Sequence, residues 1–208
     1  MRGKFITLEG GEGAGKSTQV RILATFLRQN GIEIVETREV GGSDSAEAIR
    51  DLWLTKGEGY WDATSELLLI MSARREHLVK TIIPALDRGI WVISDRFVDS
   101  TRAYQGIGLG LGLDAVDSVY QHIAGDFEPD LTLLLDLPVE AGLARMASRR
   151  GPDDRYQQKD KNFHQKLRDA YLSLAQAYAQ RFRVVDALGD VESVARLIEK
   201  TVSGHFKL

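Results

Sequence analysis

Short, largely apolar runs alternate along this 208-residue chain with longer stretches whose apolar positions recur every three to four residues. The runs at 5–8, 32–36, 90–94, 131–135 and 183–185 have strand length, and several are nearly all apolar. Lack of polar alternation belongs to strands covered on both faces, as in parallel sheets. Between them, 18–29, 45–54, 65–83, 114–124, 140–148, 163–181 and 191–202 carry helical spacing. The first of these stops at Asn30-Gly31, a pair suited to the turn that ends a helix. Strand, helix, strand in this rhythm implies right-handed crossovers. The expected fold is therefore α/β, a doubly wound, parallel, five-stranded sheet flanked by helices. No internal repeat or long linker divides the chain, so residues 1–208 read as a single domain.

Sheets of this kind collect ligands beyond the carboxyl ends of their strands. Directly after the first strand stands Gly10-Gly11-Glu12-Gly13-Ala14-Gly15-Lys16-Ser17, a match to G-x-x-x-x-G-K-[ST] in strand–loop–helix context. Its glycines let successive backbone N–H groups turn toward phosphate oxygens, and the helix that follows offers its positive end to the same anion. Lys16 can reach the β- and γ-phosphates, and the Ser17 hydroxyl can ligate Mg²⁺. ATP contacts are thus expected over Gly10, Gly11, Glu12, Gly13, Ala14, Gly15, Lys16, Ser17 and Thr18. Arg38-Glu39 follows the second strand and Asp95-Arg96 the third.

Composition narrows the classes. A net charge of −3 argues against a nucleic-acid-binding surface, and no apolar stretch approaches a membrane span. The apolar run at the N-terminus is too short for a signal peptide. With no cysteine, thiol catalysis and disulfides are excluded, which fits a cytoplasmic setting. No Asn-Lys-x-Asp guanine-reading segment occurs, whereas Arg38, Arg74, Arg96, Arg149, Arg150 and Arg155 stand at or near loops. Guanidinium groups grip phosphate in bidentate fashion, so an anionic phosphoryl acceptor is indicated. The glycine-dense stretch 106–112 reads equally as a surface loop or a phosphate contact, and Asp136 equally as structural or functional.

The segments Leu8-Glu9-Gly10, Thr37-Arg38-Glu39-Val40-Gly41-Gly42-Ser43, Ser72-Ala73-Arg74-Arg75-Glu76-His77, Asp95-Arg96-Phe97-Val98-Asp99-Ser100-Thr101-Arg102-Ala103-Tyr104-Gln105-Gly106 and Leu135-Asp136-Leu137 resemble bacterial thymidylate kinases over nearly the whole chain. The resemblance implies a P-loop nucleoside monophosphate kinase that converts dTMP and ATP to dTDP and ADP for dTTP synthesis. It implies that Arg38 and Arg96 grip the acceptor phosphate and that Arg74 meets the thymine carbonyl. Ser100, Thr101 and Gln105 line the substrate site, the last two at the base edge, with Tyr104 near the sugar. Glu9 would sit near the sugar 3′-hydroxyl or the Mg²⁺, and Asp95 at the metal or its water shell, with Ser17. His77 follows Arg74 by nearly one helical turn and reads as packing or support. A homodimer is also implied, through helices such as 65–83 and 114–124.

Phosphoryl transfer to a phosphate oxygen needs alignment and charge neutralisation, not a strong base. The P-loop offers Glu12 and no arginine, so the remaining positive charge must come from elsewhere. Residues 149–155, part of a short lid expected at about 149–160, resemble the family's arginine-bearing lid. Arg150 and Arg155 are accordingly expected to join Lys16, Arg96, Asp95 and Glu9 in catalysis. Two positions depart from the family pattern: Val40 replaces the usual proline, and Ile70 replaces a phenylalanine that stacks on thymine. The alternatives are a kinase for another nucleotide or a deoxynucleoside, or a nucleotide-dependent switch.

Overall fold

The computed structural model describes residues 2–55, 59–147, 156 and 159–208. Five parallel strands form one sheet: β1 (Phe5–Glu9), β2 (Ile34–Arg38), β3 (Trp91–Asp95), β4 (Leu131–Asp136) and β5 (Phe182–Asp186), in the order β2-β3-β1-β4-β5. Around it lie α1 (Lys16–Gln29), α2 (Asp44–Leu54), α3 (Ala63–His77), α4 (Ile83–Asp87), α5 (Val98–Thr101), α6 (Leu113–Ala124), α7 (Val139–Ala147), α8 (Lys161–Ala177) and α9 (Val191–Phe206). No helix among the described residues is long and apolar enough to cross a membrane.

Neighbouring strand residues feed opposite faces, as the pleat requires. Ile6, Leu8 and Ile93 join Val20, Leu23 and Leu27 of α1 and Val194 and Ile198 of α9 in one apolar cluster. Phe5 and Val92 instead meet Leu67, Met71, Leu78 and Ile82 on the other side. Burying each such side chain stabilises the fold by about 1.5–3 kcal/mol. A third cluster, containing Trp53, Ile70, Tyr104 and Tyr171, lies toward the functional end of the sheet. Thr7 and Thr132, both inside the sheet, satisfy one another through a 2.9 Å hydroxyl bond.

The strand register brings Leu8, Arg38 and Asp95 level, because Asp95 pairs with Leu8 on one side and Arg38 on the other. Strand β2 thus starts and ends two residues later than the run at 32–36 suggests, and Arg38 is its last residue. Helix α1 begins at Lys16, earlier than expected, behind Gly15 in a left-handed conformation (φ 91°).

The helix expected over 65–83 continues to Asp87. Pro84 has no N–H to continue the α ladder, and the chain passes it with a π-helical turn, Leu78–Ile82, in which the Ile83 N–H bonds Leu78 O. A second π-helical stretch, Arg102–Gly108, absorbs the start of the glycine-dense segment. Gly106 and Gly108 belong to it, and a side chain on Gly108 would stand 3.1 Å from Leu167 of α8. There, close packing against a helix, not a surface loop, uses the glycines.

Candidate active site

Beyond the ends of β1, β2 and β3 opens a cavity of about 280 Å³. At one end of it lies the phosphate loop. Gly10 (φ 139°) and Gly13 (φ 73°) hold conformations that disfavour a side chain, and added Cβ atoms would stand 2.5 Å from Leu135 O and 2.3 Å from Gly142 O. The Lys16 ammonium donates to Gly10 O (3.1 Å) and Gly11 O (2.9 Å), and burial lowers its pKa from the ordinary lysine value. Ser17 Oγ donates to Asp95 Oδ2 at 2.5 Å. A hydroxyl and one carboxylate are oxygen donors of the kind Mg²⁺ takes when phosphates and water complete its shell. No cluster of three or more His, Cys, Asp or Glu able to hold a metal occurs among the described residues.

Arg96 links this end to the rest of the cavity. Its backbone is left-handed (φ 69°), and it is fixed by Arg96 N–H to Leu8 O (3.0 Å) and by Ser94 Oγ to Arg96 O (2.7 Å). The guanidinium donates to Glu12 (2.6 Å), Ser100 (3.1 Å), Tyr171 (3.2 Å) and Gly10 O (3.3 Å), and lies over the Tyr104 ring. Tyr104 OH also donates to Glu12, at 2.8 Å. Burial pushes the Glu12 carboxyl up, but Arg96, Lys16 and the Tyr104 hydroxyl outweigh it and hold its pKa down at about 2.

Glu9 lies beneath the cavity rather than on its wall. It is fully buried, and its oxygens accept from Phe97 N (2.7 Å), Ser100 Oγ (2.6 Å) and Tyr171 OH (3.3 Å). Burial, then the Asp99 charge, raises its pKa to about 7. The sequence placed Glu9 toward sugar or metal; here its oxygens hold the turn that carries Arg96.

At the opposite end, Arg74 donates through Nε to Glu39 (2.7 Å) and through Nη2 to Thr101 Oγ1 (2.9 Å). His77 bonds Glu39 (2.9 Å) through one ring nitrogen and Thr37 (2.7 Å) through the other. Burial opposes ionisation of Glu39, but Arg74 and His77 hold its pKa below the usual carboxylate value. Ile70, Thr101, Tyr104 and Gln105 share this wall. Arg38 lines the cavity while half exposed and paired with Glu47 at 2.9 Å.

Arg50, Trp53 and Tyr156 also line the cavity and were not singled out from the sequence. The first two stand three apart on α2, a helical spacing that could have marked them as one face once β2 was placed. Asp136 makes a forked pair with Arg168 of α8, at 2.7 and 2.9 Å, which binds the end of β4 to that helix. The lid arginines Arg149, Arg150 and Arg155 lie outside the described residues.

Comparisons with known proteins identify the family. The family model described as thymidylate kinase matches residues 8–198. A thymidylate kinase of Pseudomonas putida is 48% identical over 204 residues, covering 98% of this chain and 97% of that protein. One from Magnetococcus marinus is 48% identical over 206 residues, covering 99% and 98%. The crystal structure of a thymidylate kinase from Ehrlichia chaffeensis superposes with a TM-score of 0.77 at 33% identity, over 97% of this chain and 99% of that one. Phosphate loop, paired strand-end arginines and near-complete matches lead to one assignment: the chain belongs to the thymidylate kinase family.

Proposed function

We propose that this kinase transfers the γ-phosphoryl group of ATP to dTMP within the cavity at the ends of β1, β2 and β3, giving dTDP and ADP. The observation that carries the reading is the joining, in one cavity of about 280 Å³, of groups beside the phosphate loop (Ser17, Asp95, Arg96) and a wall of apolar and hydrogen-bonding side chains (Ile70, Arg74, Thr101, Gln105).

The acceptor oxygen is already deprotonated near neutral pH. It attacks the γ-phosphorus while the bond to the β–γ bridging oxygen breaks, and that electron pair leaves on ADP. The P-loop N–H groups from Gly10 to Thr18 and the α1 N-terminus hold the ATP phosphates, and Lys16 balances the charge of the transferring group. Arg96 and Arg38 align the dTMP phosphate, with Arg96 preset by Glu12 and Ser100. Glu9 keeps the Arg96–Ser100 turn in place. Arg74, Thr101 and Gln105 take the base, Ile70 packs against it, and Tyr104 stands by the sugar. Arg150 and Arg155 are assigned to the lid that excludes water. Ser17 and Asp95 would hold Mg²⁺, which when bound neutralises phosphate charge. We further propose a cytoplasmic homodimer that acts on these two nucleotides and on neither nucleic acid nor membrane.

The test is ADP release from Mg·ATP with dTMP, dUMP, UMP, dCMP, thymidine or no acceptor. Turnover should depend on dTMP and fall by at least about a hundredfold in Lys16→Ala and Arg96→Ala. Hydrolysis indifferent to every acceptor would instead identify a nucleotide-dependent switch.

A further inference from the structure

The Gln105 side chain ends in one donor group and one acceptor group, so the one that faces the cavity decides what it can recognise. Two groups behind it determine the choice. Gln105 Nε2 donates to Glu66 Oε1 at 2.8 Å and to the Tyr156 hydroxyl at 3.0 Å, which occupies both amide hydrogens. Tyr156 donates to the same Glu66 oxygen. Glu66 is buried at 2% exposure and does not itself line the cavity, whereas Gln105 and Tyr156 do. Reversing the amide would set Gln105 Oε1 against Glu66 Oε1, two acceptor oxygens at hydrogen-bonding distance, which is strongly disfavoured in a buried site.

We propose that Glu66 and Tyr156 are positioning residues for base selection: they hold Gln105 with its carbonyl oxygen toward the nucleotide. The wall then presents an acceptor from Gln105 beside a guanidinium donor from Arg74. That pair complements a base with a ring N–H next to a carbonyl, as in thymine and uracil. It opposes cytosine, whose ring N3 accepts and whose amino group donates. A site built to bond one polar pattern rejects the reverse strongly, because its own buried groups are left unpaired. This selection rests on the reading of the cavity as the dTMP site.

The test uses the full-length enzyme and compares KM for dTMP with Ki for dCMP as a competitive inhibitor, in wild type, Glu66→Gln and Tyr156→Phe. Glu66→Gln keeps the shape but can donate as well as accept, so Gln105 is no longer held in one orientation. The ratio Ki(dCMP)/KM(dTMP) should fall about tenfold in Glu66→Gln, mainly through a higher KM for dTMP and with a smaller change in kcat. Tyr156→Phe preserves the Gln105–Glu66 bond, and its ratio should fall about threefold. An unchanged ratio in Glu66→Gln overturns the proposal however much activity is lost, since a purely structural role affects both nucleotides alike. If that variant does not fold, an unchanged ratio in Tyr156→Phe does the same. A wild-type enzyme that fails to turn over dTMP would overturn the site assignment itself, a result recognisable before any variant is made.

Discussion

Arg96 holds a left-handed backbone that costs a non-glycine residue about 1–2 kcal/mol, and glycine would relieve it only by discarding the guanidinium. Its partner Glu12 gives a pH-dependent signature. The Glu12 pKa falls from 4.5 to about 2 on folding, so its stabilising contribution is complete above pH 4.5 and is lost as pH drops toward 2. Glu12→Gln should therefore flatten the acid side of the stability profile by about 2 kcal/mol, read by urea unfolding from pH 6 to pH 2. An acid limb as steep as that of wild type would place the titration elsewhere. At the other end of the cavity, Ile70 offers apolar surface without a ring. Ile70→Phe should lower the KM for dTMP, by a factor matching about 1 kcal/mol of aromatic contact, in steady-state assays. An unchanged or higher KM would remove Ile70 from the base pocket.

The principal strands and helices were legible because each has a clear apolar period, and so was the phosphate loop, whose glycines and lysine lie within eight consecutive residues. Two kinds of feature were not. The π-helical turns at Leu78–Ile82 and Arg102–Gly108 leave no distinct period, since they change the course of a helix by part of a turn. Partnerships made only by tertiary folding were equally hidden: nothing near Glu9 signals that its carboxylate meets Phe97 N–H, and nothing in α3 marks Glu66 as Gln105's anchor. The tie between α5 and the residue just before β5 is of the same sort. Asp99, fully buried, pairs with Arg181 at 2.6 Å and Arg102 at 3.0 Å, and Arg181 also reaches Thr132 at 2.7 Å. Arg181→Ala should destabilise the protein by about 3 kcal/mol in urea unfolding, because it leaves buried charge short of a partner. A loss below about 1 kcal/mol would show that Arg102 alone satisfies Asp99.

In the whole molecule, the groups proposed to handle phosphate come from the ends of β1, β2 and β3 and the start of α1, while those proposed to recognise the base come from α3 and the helical stretch after β3. Helix α3 carries a second face, on which Leu68 is half exposed. If α3 and α6 join two copies, Leu68→Glu should convert a dimer to monomers in analytical ultracentrifugation, and wild type sedimenting as a monomer would refute that interface. The π-helical course of Arg102–Gly108 matters at this scale too. With Thr101 and Gln105 at the base as proposed, it makes the length of the chain, as well as its letters, a determinant of which nucleotide is accepted. Loss of a single residue there would rewind the segment and turn Gln105 relative to Thr101, whereas the same loss at Asn30-Gly31 would shorten a connection outside the cavity. Divergence in substrate choice within such a scaffold can therefore proceed by insertion and deletion in one short stretch while the phosphate loop stays as it is.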